Sequence, residues 1–466
     1  MRAFLLIFLC WSLIASDFVA APAKDDALNP IAEKYARLVL ALGQHDPDYV
    51  DAFYGPAEWK TQAETEKKSL DAIGSEAQEL IGAIQRGAGQ RQASHSDAAT
   101  APETSDDQMV KLRREYLEKQ ISALAARVRM LKGDKLKFDD ESKALYDAVA
   151  PTYPESHFDQ IISQLEAKIP GNRGQSNASA ARTSDLWKRY EDWRKPFMIP
   201  KDKLDAVFQA AIKECRARTL AHLSLPPNES FTVEYVTNKP WGGYNWYKGN
   251  FRSVIQVNTD LPSFIDRAVD LAAHEGYPGH HVYNSLLEKN LVHDRGWVEF
   301  SVYPLFSPQS LIAEGTANYG RDVAFPNKTE RMKFEKEVLF PAAGIDPARA
   351  DEYYAVQDLM KELNYAVNEA ARRLINGEID EKAAAEWLQK YAVMEPARAQ
   401  QRLKFIQRYR SYVINYNLGE DMVKRYIETR TGNDPEKKWG EFGKLLSSPR
   451  LPSGLAEVTS NQQEKN

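Results

Sequence analysis

Apolar side chains recur every three to four positions over most of this chain, the period of a helix that buries one face. Residues 29–42 carry Ile31, Tyr35, Leu38 and Leu42 in that spacing. Residues 110–131 carry Leu112, Tyr116, Ile121, Leu124, Val128 and Leu131. The same pattern predicts a helix over 203–220 and a helical stretch over 346–426 broken near Gly377 and Pro396. The period drops to two in 231–236 and again in 251–258, which predicts two strands separated by an aromatic-rich turn at 240–247. A further helix is expected from about Leu261 into a histidine-rich segment. Residues 87–107 and 171–181 are small and polar with no large apolar residue, and predict flexible loops. No internal repeat is visible. The pattern predicts a mainly α, multi-helix fold with a small sheet next to one helix.

Composition narrows the class. Arg2, the apolar run 3–15 and the small residues of 18–23 form a secretory leader pattern, too short for a confident membrane span. Residues 1–23 are therefore expected to be removed on export to the periplasm or medium. The rest divides into an N-terminal helical region (24–200), a catalytic region (201–450) and a polar tail (451–466). Beyond the leader the only cysteine is Cys215, so no disulfide framework supports the fold. A net charge of -5 with interspersed signs and no basic stripe argues against a nucleic-acid partner. No later segment is apolar enough to span a bilayer.

The candidate chemistry lies in His274-Glu-Gly-Tyr-Pro-Gly-His-His281, which holds three of the chain's eight histidines. Imidazole and carboxylate are the ligand types of catalytic zinc, and a glutamate after the first ligand histidine is the usual base of zinc peptidases. In H-E-x-x-H the second histidine sits one helical turn on; here Pro278 occupies that place. On a straight helix, position i+7 lies about 10 Å along the axis, too far to share an ion with His274. One metal bound by both ends of the octet requires a kink or bulge at Pro278-Gly279. His280 fits as the ligand if that pair is an insertion into H-E-x-x-H; His281 is the alternative ligand, or a hydrogen-bonding partner of substrate or water. Glu275 is the expected base. Asp270, one turn before His274, is a candidate to orient its ring. Glu314 is the candidate third ligand, because a carboxylate in the apolar stretch 311–319 needs a partner.

The octet followed by Glu314-Gly-Thr-Ala-Asn-Tyr319 resembles the bacterial domain-of-unknown-function 885 family, placed among gluzincin-type zinc peptidases. Its members carry H-E-x-x-P-G-H-H and then E-G-W-A-x-Y. Ala385-Glu-Trp-Leu388, Arg408-Tyr409 and Tyr416-Asn-Leu-Gly419 also resemble the family pattern, over roughly residues 200–430. Thr316 stands where the family has tryptophan, Tyr283 where it often has glutamine, and Arg410-Ser411 where a Pro-Gly pair is common. The resemblance implies a gluzincin-like fold with a deep cleft favouring short peptides. It also implies that His274, His280 and Glu314 hold one Zn2+, and that Tyr416 and Arg408 are candidate oxyanion donors. The strand 251–258, centred on Ile255, is expected to pair its edge with an extended substrate. Tyr244, with Trp246 and Tyr247, is expected to line the cleft. The expected function is exported, zinc-dependent hydrolysis of a peptide or other small amide. A zinc hydrolase of non-peptide amides or esters, and an inactive helical metal-binding protein, are the alternatives. Mixed nitrogen and oxygen ligands also suit other divalent ions.

Overall fold

The computed structural model describes residues 27–95, 105–170, 186–239 and 241–456. The leader expected over 1–23, the loop expected over 171–181 and the end of the tail lie outside these residues. The N-terminal half is helical apart from one short strand: α1 (Asn29–Leu42), β1 (Val50–Phe53), α2 (Ala57–Glu66), α3 (Leu70–His95), α4 (Ser105–Leu131), α5 (Phe138–Tyr146), α6 (Glu155–Lys168) and α7 (Leu186–Arg194). Then follow α8 (Leu204–His222), β2 (Ser230–Val236), β3 (Gly243–Tyr247), β4 (Arg252–Asn258), α9 (Asp266–Leu271), α10 (His280–Leu287) and β5 (Val302–Pro304). The C-terminal part is α11 (Pro308–Ala324), α12 (Lys328–Phe334), α13 (Phe340–Ala343), α14 (Ala350–Glu362), α15 (Tyr365–Ile375), α16 (Glu381–Tyr391), α17 (Pro396–Tyr409), α18 (Ile414–Thr431) and α19 (Pro435–Leu446).

The helical periods map onto buried faces. Tyr35, Leu38 and Leu42 of α1 are buried, as are Tyr116, Ile121, Leu124 and Val128 of α4. These residues belong to one contiguous apolar core that runs from Leu28 to Leu455. The loop expected over 87–107 is largely helix instead. Helix α3 continues to His95 and α4 begins at Ser105, with only 96–104 outside the described residues. Ala, Gln and Arg at 89–93 have high helix propensity, so a helix persists there without a large apolar residue. Gly377 (φ 75°) ends α15 as expected, whereas Pro396 opens α17 at its first turn, where its missing N–H costs nothing.

The sheet has the order β2-β4-β3, with β2 parallel and β3 antiparallel to β4. Ile255 pairs with Val233 on one side and Asn245 on the other and is buried. This overturns the expectation that 251–258 offers an edge to substrate. Both edges of β4 are taken, and β2 and β3 are the outer strands. A second, two-stranded sheet pairs β1 with β5, Phe53 opposite Val302, and so brings the N-terminal region to the helices around the histidines. The fully buried pair Arg113–Glu299 (2.6 and 3.0 Å), with Asn29 Oδ1 accepting from Arg113 at 2.8 Å, ties the same two parts together. Among the described residues no helix is long and apolar enough to cross a membrane.

Candidate metal centre

The octet departs from a regular helix as its composition requires. After α9 the backbone widens over Ala272–Gly276, with Tyr277 N–H donating to the Ala272 carbonyl at 3.1 Å and Gly279 N–H to the Ala273 carbonyl at 2.8 Å. The Tyr277–Pro278 peptide is cis, and α10 restarts at His280. A side chain at 279 would overlap the carbonyl oxygens of His274 and Ala273, so this turn accepts only glycine. The widened turn folds the segment back, and Nε2 of His280 comes to 3.1 Å from Nε2 of His274.

Glu314 of α11 completes the cluster. Its Oε2 lies 3.4 Å from His274 Nε2 and 3.8 Å from His280 Nε2. That oxygen is buried without a hydrogen bond, whereas Oε1 accepts one from the Tyr412 hydroxyl at 2.9 Å. Ligand atoms about 2.0–2.1 Å from a tetrahedral zinc lie about 3.3 Å from one another. The three observed separations bracket that value, and an unpartnered buried carboxylate oxygen is otherwise costly. The donor set therefore fits a zinc-like cation. His274 Nδ1 lies 2.9 Å from Asn318 Oδ1, and Asn318 Nδ2 donates to the Tyr416 carbonyl at 2.8 Å. With the amide so oriented, Nδ1 of His274 is the protonated nitrogen and Nε2 presents its lone pair to the cluster.

Glu275 is buried and has a carboxylate oxygen within 4.8 Å of both ligand nitrogens. Burial, reinforced by the Glu314 charge and opposed by His274, pushes its pKa up to about 7. Burial opposes protonation of His274, but Glu314 and Glu275 outweigh it and raise that group to about 9. Burial and then the positive His274 lower His280 to about 4. Burial would raise Glu314, yet the two histidines and Tyr412 hold it below its ordinary value.

The structure separates the remaining candidates. His281 is fully buried and points away from the cluster, with Nδ1 2.9 Å from Ser253 Oγ and Nε2 2.9 Å from Glu229 Oε2. Asp270 does not orient His274. It accepts from Arg321 at 2.8 Å and lies 3.4 Å from Arg267, because two guanidinium groups outcompete a neutral imidazole for a carboxylate. Arg408 is also not brought to the centre. It is 56% exposed and grips Asp48 with both arms at 2.6 and 2.7 Å. Tyr416 packs its ring edge-on against Tyr412, the partner of Glu314, at 5.8 Å between ring centroids, and burial and then the Glu314 charge raise its phenol. Tyr244 donates its hydroxyl to Asp51 of β1 and packs its ring on Trp246, so it joins β3 to β1 at half-buried depth. Sequence reasoning missed Asn318, Tyr412 and Asp51. The first two sit four residues from Glu314 and Tyr416, on the same helical faces, and that spacing was the available signal. Asp51, raised to about 6 by burial and by the nearby Glu314, had none.

The fold and this cluster define a mainly helical protein with a His–His–Glu candidate metal centre. No family model matches the chain, and no curated protein matches it. Among solved structures it is similar to a candidate lipoprotein from Colwellia psychrerythraea, at 13% identity over 96% of this chain and 77% of that one, with a TM-score of 0.48. It is also similar to a candidate lipoprotein of unknown function from Shewanella oneidensis, at 13% identity over 92% and 82% of the two chains, with a TM-score of 0.44. No functional inference rests on likenesses at this level.

Proposed function

We propose that the chain is an exported, zinc-dependent peptidase of the gluzincin type, related to the domain-of-unknown-function 885 family, acting on short peptides. The observation that carries this reading is the triangle of His274 Nε2, His280 Nε2 and Glu314 Oε2, at 3.1, 3.4 and 3.8 Å, with Glu275 beside it. A zinc ion held by these three atoms supplies Lewis acidity and lowers the pKa of water. The chain supplies the rest. Glu275, buried beside both ligand nitrogens, accepts the proton of the attacking water and returns it to the leaving amine. Tyr416, packed against the Tyr412 that holds Glu314, donates from its hydroxyl to the developing oxyanion. Tyr412 fixes one oxygen of Glu314 and leaves the other for the ion.

An extended substrate would lie along β3, the one of the two outer strands that Asn245 fastens to the active-site turn by donating to the Glu275 carbonyl at 2.7 Å. The test is hydrolysis of a panel of short peptides, esters and simple amides by zinc-loaded protein, with Glu275→Gln beside it. Peptide cleavage that falls by about 100-fold or more in the variant, at unchanged zinc content, supports the reading. Turnover of esters or non-peptide amides alone, or cleavage indifferent to Glu275, contradicts it.

A further inference from the structure

On α17 the positions 398, 402, 405 and 409 follow one another at spacings of four, three and four, and so form one face of the helix. The lower half of this face is aromatic and reaches the cluster. Phe405 packs on Tyr409 at 4.7 Å and on Tyr416 at 6.4 Å, measured between ring centroids. Its upper half is Arg398 and Arg402. The Arg402 guanidinium lies 5.2 Å from the centroid of the same Phe405 ring that packs on Tyr416.

Neither arginine makes a hydrogen bond or an ion pair with any described residue, in a molecule where other arginines of this region are paired. Arg194 grips Glu191 at 2.6 and 2.9 Å, and Arg267 lies 3.4 Å from Asp270. Their surroundings are adverse. Burial pulls both Arg398 and Arg402 below the usual guanidinium range, and for Arg398 the neighbouring Arg194, Arg402 and Arg267 add to the effect. Arg398 nonetheless keeps an exposed surface and lines a cavity of about 210 Å³ with Lys239, Asn258 and Gln401. Asp260 and Glu395 also line it, and Asp260 already accepts from the Asn238 N–H at 2.6 Å. Two like charges four residues apart, crowded by protein and in ion pair with no described carboxylate, although Glu191, Asp260 and Glu395 are near Arg398, are unfavourable unless an anion joins them.

We propose that Arg402 and Arg398 anchor a carboxylate of the substrate, which places peptides with a free C-terminus or an acidic side chain as the substrate class of the centre beside Tyr416. This rests on the peptidase reading. Planar guanidinium groups bind carboxylates through paired hydrogen bonds, and Arg402 stands on the same aromatic wall that borders the reacting groups.

Binding is to be read without turnover, by titration calorimetry on the full chain carrying Glu275→Gln, with zinc added. The probes are N-acetyl-Ala-Ala-Phe as free acid, the same peptide as C-terminal amide, and the amide with glutamate as its middle residue. The free acid is expected to bind about tenfold or more tighter than the plain amide. Arg402→Gln should abolish that preference and Arg398→Gln should reduce it, with unfolding midpoints no lower than the parent's. A glutamate-containing amide that binds like the free acid identifies a side-chain carboxylate as the anchored group; one that binds like the plain amide identifies the terminal carboxylate. Equal binding of all three probes, no binding of any, or a preference that survives both substitutions overturns the anchor. An Arg402-dependent preference in a protein whose wild type hydrolyses no peptide overturns the peptidase reading alone.

Discussion

Oε2 of Glu314 and the two facing histidine nitrogens are held by groups that touch the ligands from behind. Asn318 is the clearest case, because its amide fixes which nitrogen of His274 carries the proton. Asn318→Leu should lower zinc affinity by about 10- to 100-fold while the fold survives, which a competition titration with a zinc-binding dye would measure. An unchanged affinity would mean that ring orientation is set elsewhere. His281 illustrates the opposite role. With Ser253 and Glu229 as its partners, it fastens the restart of the helix to the sheet. Away from the centre, Glu335 is buried, and burial raises its carboxyl to about 7. The folded form therefore holds its proton more tightly than the unfolded chain does. Its contribution to stability is full below the ordinary glutamate pKa and is lost as pH rises through about 7. Glu335→Gln should match wild type near pH 5 and exceed it near pH 8, by about 3 kcal/mol or less. Thermal unfolding at the two pH values reads this, and a difference independent of pH would contradict it.

At the scale of elements, the helix that carries Glu314 crosses a second helix without side chains between them. Gly315 of α11 and Gly419 of α18 lie so close that a Cβ on either would collide with the backbone of the other. This crossing sets Tyr412 against Glu314 and Asn318 against Tyr416. Gly315→Ala should push the helices apart and weaken zinc binding more than overall stability warrants. Zinc titration alongside urea unfolding separates the two effects, and retained affinity would show that the contact is not what positions Glu314. Part of this was legible in the sequence: the structure brings His274, Glu275, His280 and Glu314 together, as their types and spacing indicate. Other parts were not. The strand around Ile255 has the alternation of an edge strand, but alternation does not say how many neighbours a strand has, and β2 and β3 flank it. Arg408 and Arg402 share one helix, and only the way its stripe packs decides that 402 faces inward while 408 reaches Asp48. The Arg410-Ser411 pair, where the pattern it resembles has Pro-Gly, takes a backbone closed to that proline, with φ 53° at Arg410. Glu141 accepts from Arg410 at 2.5 Å and from the Ser411 hydroxyl at 2.6 Å, and so holds that turn by ion pair and hydrogen bond.

For the whole molecule, the centre draws on distant parts of the chain. Asp51 comes from the N-terminal region through the β1–β5 pairing, Glu275 and the histidines from the middle, and Tyr412 and Tyr416 from near the end. Distance in sequence hid Asp51, since nothing in the order of residues says that β1 meets β5. A cation at the centre would bind these parts in the folded state only, so zinc at 100 times its dissociation constant should stabilise the protein by about 2.7 kcal/mol. A chelator should reverse the rise in unfolding midpoint, and a midpoint indifferent to both would argue against a site spanning the fold. The measurement that bears most directly on the whole account is the zinc content of purified wild type, His280→Ala and His281→Ala. The account predicts about one zinc per chain in wild type, none in His280→Ala, and retention in His281→Ala, which loses stability by about 1–3 kcal/mol because Ser253 loses its buried partner, while Glu229 keeps Arg216 and Tyr277. Zinc lost with His281 and kept with His280, or absent from wild type after reconstitution, would contradict it.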